Sequence, residues 1–179
     1  MKSKSHLMLG KYIANGLGEL TSMQRYAFIA GCVEPDYNYI TYLRGSLSKR
    51  MLAGHSFENA GEHIKKIINR LQSRNGLNCR DYFRLGTLLH YVVDAFTYAH
   101  NSDFPGSLPD HRDYEKQLKE SFHKFLERRQ AKLVYSTKPL YDALRDAHEK
   151  YLLQPASPLK DMRYVERLAC LIFSELACA

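Results

Sequence analysis

Residues 89–100, LHYVVDAFTYAH, constrain the fold more than any other stretch. Leu88, Leu89, Val92, Val93 and Phe96 suit a helix buried among other helices, yet His90, Asp94 and His100 interrupt it. An imidazole or a carboxylate is costly to bury unless something answers its polarity. Either these groups satisfy one another by hydrogen bonding, or they wait for a bound cation.

The rest of the chain reads the same way. Helical periodicity dominates and no strand-like alternation persists. Thr21 or Ser22 is positioned to cap MQRYAFIAG, which should stop at Gly31 before a VEPDYN loop. Pro35 biases Glu34 to extended geometry, so Asp36 is expected just past that helix end. Ser56 can cap a helix whose apolar face carries Ala60, Ile64, Ile67, Ile68 and Leu71. A further helix runs from about Asp81 to about Ala99, and NSDFPGSLPD follows as a loop. Another covers roughly His111 to Gln130. Thr137 and Pro139 open the next, and Pro155 and Pro158 divide it from a last helical segment bearing Met162, Val165, Leu168, Ala169, Ile172 and Leu176. The expectation is an all-α fold, a single domain over residues 1–179 with six or seven helices.

Composition narrows the classes further. The hydrophobic share of 45% and charged share of 25% are those of a folded globular protein. No run reaches the ~18 apolar residues of a membrane span. In MKSKSHLMLGKYIANGLGEL, Lys11 interrupts the apolar stretch and Glu19 follows, so no cleavable signal is read and a cytoplasmic location is expected. Cys32, Cys79, Cys170 and Cys178 are scattered with no CxxC pair, the pattern of free thiols. The net charge of +7 favours anionic partners without a dense basic block to specify one. No obligate protein partner is evident.

The chemistry-bearing signal is a spacing. His90 and Asp94 are four apart and share a helix face, and His111 and Glu115 repeat the interval. An imidazole nitrogen and a carboxylate at i and i+4 can share one divalent metal. With 8 histidines and 19 acidic residues, chance supplies about one such pair. This chain has three, the third being His123–Glu127 in the charged run HKFLERRQ, which reads as a solvated surface pair. For His90–Asp94 a metal and a simple His–Asp hydrogen bond remain equal alternatives on spacing alone. His100 lies off that face near the helix end, better placed for a second metal than for the first. His63 and His148 read as surface or helix-edge residues.

The ordered set H…PDY…H…LHYxxDxxxxxH…HxxxE, carried by His6, Asp36, His55, His90, Asp94, His100, His111 and Glu115, resembles the zinc-dependent phospholipase C family. That family is related in turn to the P1/S1-type nucleases. LGTLLHYVVDAFTYAH is the most specific part, and the resemblance extends from His6 to Glu115. It implies a multi-helix bundle with two or three Zn2+ ions in a cleft. His55, His90 and Asp94 would hold one ion and His100, His111 and Glu115 a second. His6 and a bridging Asp94 would contribute to a third, which in the family is completed by the amine and carbonyl of an N-terminal residue. Asp36 matches the acidic residue that orients or deprotonates a zinc-activated water. Tyr37, with Tyr39 and Tyr42 nearby, could line the cleft and face a cationic headgroup.

The implied activity is hydrolysis of a phosphodiester, foremost that of a phospholipid, with peripheral contact to an anionic membrane. Glu115 and the short His100–His111 interval lean toward the phospholipase branch. The alternatives are a P1-type nuclease acting on single-stranded nucleic acid or nucleotides, and a catalytically inactive zinc-binding homologue.

Overall fold

The computed structural model describes residues 1–38, 57–101 and 103–178. Among them are seven α-helices and no strand: α1 (Ser3–Gly16), α2 (Ser22–Tyr37), α3 (Phe57–Gln72), α4 (Cys79–Ala95), α5 (Leu108–Glu127), α6 (Leu140–Leu152) and α7 (Pro158–Ala177), with a 3-10 turn over Tyr98–His100. His55, Ser56, Tyr39 and Tyr42 lie outside the described residues. No helix among those described is long and apolar enough to cross a membrane. All four cysteines are free thiols.

α4 is the axis of the bundle. Asn78 caps its start, accepting from the Asp81 N–H at 3.1 Å while Asp81 reaches back to the Asn78 N–H. From Leu85 to Ala95 every residue of α4 is buried, so other helices must surround it. α2, α3 and α7 pack against it, and α1 lies across α2, α5 and α7. The His90–Asp94 face thus points into protein on one side and towards the N-terminal part of α1 on the other, because His6 shares a buried stripe with Leu9, Gly10 and Ile13.

α2 departs from the sequence expectation. Thr21 caps it as anticipated, but the helix does not stop at Gly31; it continues through Pro35 to Tyr37. Asp36 therefore stands inside the last turn, not beyond it. The reason is tertiary. A Cβ on Gly31 would fall 2.0 Å from the Phe83 carbonyl oxygen, and one on Gly86 would fall 2.1 Å from that of Phe28. α2 and α4 cross backbone to backbone at this glycine pair. Gly31 permits close approach there, and packing of the buried Cys32 and Pro35 outweighs proline's poor fit in a helix.

α4 also ends early, at Ala95 instead of near Ala99. The Tyr98 N–H, which would continue the helix by bonding to the Asp94 carbonyl, goes to Asp161 Oδ2 at 2.9 Å. The chain is extended at Thr97 and turns back through the 3-10 segment. α5 begins before His111, with the Ser107 N–H and hydroxyl both held by Asp110 at 2.7 Å, and it ends at Glu127. His148 is the other correction. It is not at the surface but 7% exposed, stacked on Phe57 with ring centroids 4.7 Å apart and hydrogen-bonded to Asn101 at 3.2 Å. His63 is half-buried, edge-on to Tyr91 at 5.1 Å.

Candidate metal centre

Three helices and one turn converge on Asp94. His90 lies one turn before it on α4. The rings of His6 and His90 stack with centroids 3.9 Å apart and planes 18° from parallel. His90 Nδ1 lies 2.9 Å from the Cys32 carbonyl oxygen. A carbonyl can only accept, so Nδ1 carries the proton and donates. Nε2 is turned towards Asp94 Oδ2 at 3.4 Å and Asp36 Oδ1 at 3.8 Å. A histidine that anchors one nitrogen on a backbone carbonyl and aims the other at carboxylates has the orientation that metal-ligating histidines adopt.

The second group sits on the far side of Asp94. His100 Nε2 is 3.3 Å from Glu115 Oε1 and 3.9 Å from Asp94 Oδ1. His111 Nε2 is 3.6 Å from Glu115 Oε1, and the two histidine rings meet edge to face at 4.9 Å. The break in α4 creates this group. Along a continuous helix His100 would stand about 9 Å from Asp94 on another face.

Two sets of potential ligand atoms result, the atoms of each lying within 4.8 Å of one another: His6, Asp36 and His90, and His100, His111 and Glu115. Asp94 faces both. Its Oδ1 accepts from His6 Nε2 at 3.0 Å. The His123–Glu127 pair is separate and well exposed, 59% and 60% at its side chains, as a surface ion pair should be.

Electrostatics keep the cluster's two central carboxylates ionised. Burial pushes the Asp94 carboxyl up, but His100, the Met1 ammonium, His6 and His90 hold it well below the usual carboxylate range. Glu115 is also lowered: burial opposes ionisation, and hydrogen bonds from His100 and His111 outweigh it. His6 moves the other way, pushed down to about 4 by burial and by the adjacent His90. It is therefore neutral near pH 7, the form that can coordinate a metal. A cation already occupies part of the space. The Met1 ammonium pairs with Asp94, lies 3.3 Å from Glu115 Oε1 and 2.8 Å from His100 Nε2. Burial disfavours that charge, yet Asp94 and Glu115 raise its pKa. Imidazole nitrogens and carboxylate oxygens at these separations are a donor set that zinc accepts. The residues present fit the metal.

The cluster opens into a cleft of about 580 Å3. Asp36 and Tyr37 stand on one wall, and Lys2, Lys4 and Lys119 border it. Tyr37 is 75% exposed, so it meets solvent at the mouth and not the core.

Sequence reasoning missed the groups that hold this arrangement. Asp161 is fully buried and lies 63 residues from Tyr98 in sequence. Besides the Tyr98 N–H it accepts from the Tyr114 and Tyr151 hydroxyls, each at 2.7 Å. It thereby ties the turn carrying His100 to the helix carrying Glu115. Burial raises the Asp161 pKa despite these donors, and burial with the Asp161 charge raises those of Tyr114 and Tyr151. Nothing in the local sequence marks Asp161; it looks like an ordinary first-turn acid of α7. The Cys32 carbonyl carries no sequence signal at all.

Fold and site together define an all-helical protein with a candidate His/carboxylate metal centre at the base of a cleft. The chain belongs to the zinc dependent phospholipase C family, whose model matches residues 5–161. Membership supports a zinc-requiring, phospholipid-hydrolysing activity as the chain's general assignment. No curated protein and no solved structure gave a match.

Proposed function

We propose that this chain is a phospholipase C-type hydrolase that cleaves the bond between phosphate and glycerol, releasing diacylglycerol and a phosphorylated headgroup. One observation carries the reading most of the way: two His/carboxylate groups meet across a shared buried aspartate beneath an open cleft. His55, His90 and Asp94 would serve one metal position, His100, His111 and Glu115 another, and His6 with Asp94 would contribute to a third. Asp94 would be shared, so that two or three zinc ions are bound. Bound zinc would supply a lowered pKa for water and compensate charge on the phosphoryl oxygens.

The protein's own groups divide the remaining work. Asp36, with 20% of its side chain accessible, borders both cleft and ligand group. Its carboxylate is suited to orient the attacking water and take its proton. The water oxygen bonds to phosphorus, the phosphorus–oxygen bond to glycerol breaks, and the proton passes to the departing glycerol oxygen. Lys2, Lys4 and Lys119 favour the substrate's phosphate in the cleft. Tyr37 at the mouth offers an aromatic face to a quaternary ammonium headgroup.

The test is a zinc-loaded assay with a short-chain phosphatidylcholine and, in parallel, a single-stranded oligonucleotide. We expect diacylglycerol release from the lipid, no cleavage of the oligonucleotide, and a fall of roughly a hundredfold or more in Asp36→Asn with zinc retained. Cleavage of the oligonucleotide alone would replace this reading with the nuclease one. Retained zinc with no turnover on either substrate would make the protein an inactive homologue.

A further inference from the structure

A second groove lies apart from the metal cleft and exceeds it in volume. About 950 Å3 in volume, it lies between the C-terminal end of α5, the segment that follows, and α7. The groove begins about 18 Å along α5 from Glu115, twelve residues away, and shares no lining residue with the cleft. Arg128, Arg129, Lys132, Arg163 and Arg167 line it.

Its acids are already engaged. Glu166 accepts from Arg129 at 3.0 Å and from the Tyr12 hydroxyl at 3.0 Å, while Glu127 pairs with His123 at 3.3 Å. Arg128, Lys132, Arg163 and Arg167 make no ion pair among the described residues. Arg163 and Arg167 are exposed and one turn apart on α7, so their guanidinium groups share a face. Guanidinium forks match phosphate oxygens geometrically and remain charged at any physiological pH. Alternating along the chain with the lining residues Lys132 and Val134, but not lining the groove themselves, are two exposed apolar side chains, Leu133 at 51% and Tyr135 at 55%. A leucine offers nothing to a soluble polyanion. Basic residues together with an exposed leucine and tyrosine suit a surface of phosphates over hydrocarbon.

We propose that this groove docks the protein on an anionic lipid surface, as a site separate from the metal cleft. The choice of lipid as the partner rests on the phospholipid-hydrolysing assignment. The docking itself does not depend on turnover. Its role is to concentrate the enzyme on its substrate layer, so it should matter for bilayers and not for dissolved lipid.

The experiment is co-sedimentation of the full chain with phosphatidylcholine vesicles, with and without phosphatidylserine, repeated at low and high salt. The variant carries Arg128→Glu, Arg163→Glu and Arg167→Glu. A control carries the same charge change elsewhere, through Lys66→Glu, Arg70→Glu and Arg80→Glu. Circular dichroism checks folding of both. We expect salt-sensitive binding to phosphatidylserine vesicles that falls about tenfold or more in the groove variant, with a much smaller loss in the control. Hydrolysis of short-chain dissolved lipid should be equal in all three proteins. Equal loss in groove variant and control would reduce the effect to net charge and overturn the proposal. So would binding indifferent to phosphatidylserine, or a groove that holds a single-stranded oligonucleotide in preference to vesicles. Vesicle binding without any lipid hydrolysis would instead count against the enzymatic reading and leave docking standing.

Discussion

Asp94 is where the two ligand groups become one centre. It is 2% exposed, receives His6 on one oxygen, faces His90 with the other and pairs with the Met1 ammonium. Replacing it with asparagine keeps the shape and removes the charge that the surrounding cations require. Asp94→Asn is expected to weaken zinc retention by about tenfold or more and to abolish hydrolysis, read by metal analysis and turnover together. Unchanged zinc content and activity would count heavily against the shared role.

A second residue-scale effect lies outside the cluster. Burial lowers the His148 pKa from its ordinary 6.5, so the folded protein holds this ring neutral. As the pH falls through 6.5 the unfolded chain takes the proton first. The contribution of His148 to stability is therefore complete above that pH and declines below it. His148→Gln keeps a donor for Asn101 and cannot titrate. Its melting temperature should fall less than the parent's between about pH 7 and about pH 5. Superimposable profiles would show that His148 is not the sensor. The sequence could not reveal this burial, since DAHEKY carries charge on both sides; Phe57 and Phe96, which enclose the ring, come from the start of α3 and from just past the end of α4.

At the scale of elements, two devices position the ligands, and neither was legible in the chain. The first is the crossing of α2 and α4 at Gly31 and Gly86. In the sequence Gly31 looks like a stop signal, because a glycine followed by Pro35 commonly ends a helix. It works instead as a contact point, which sets Asp36 opposite His90. Gly86→Ala should force the helices apart and destabilise the protein by about 3 kcal/mol, measured by denaturant unfolding. A loss within the ~1 kcal/mol of ordinary packing changes would mean the crossing adjusts freely.

The second device is the break after Ala95. AFTYAH has helical character, and only Asp161, supplied by another helix, draws the Tyr98 N–H away. Asp161→Asn presents an amide where three donors converge. We expect a stability loss of about 2 kcal/mol, a charged acceptor being exchanged for a neutral one. Zinc should be lost from the His100, His111 and Glu115 group before the His6 and His90 group. Full zinc content at parental affinity would show that the turn holds itself. By contrast, the helices themselves were plain from periodicity, and the i, i+4 pairs on α4 and α5 were correctly read as local pairs. Spacing along one helix is a local property. The meeting of different helices is not.

For the whole molecule, the all-helical bundle follows from one sequence fact: a central helix apolar on nearly every side must be surrounded. What that helix then does with His90, Asp94 and the nearby His100 decides function. Without a metal, the buried Asp94 and half-buried Glu115 carboxylates share the Met1 ammonium beside the stacked His6 and carbonyl-anchored His90 rings. Zinc ions would satisfy all of them at once. The most direct test is zinc content by plasma mass spectrometry on protein purified without a chelator or a polyhistidine tag, alongside His90→Ala. The account predicts two or three zinc ions per chain in the parent and fewer in the variant. No zinc in the parent, and none taken up on reconstitution, would contradict it and remove the catalytic reading.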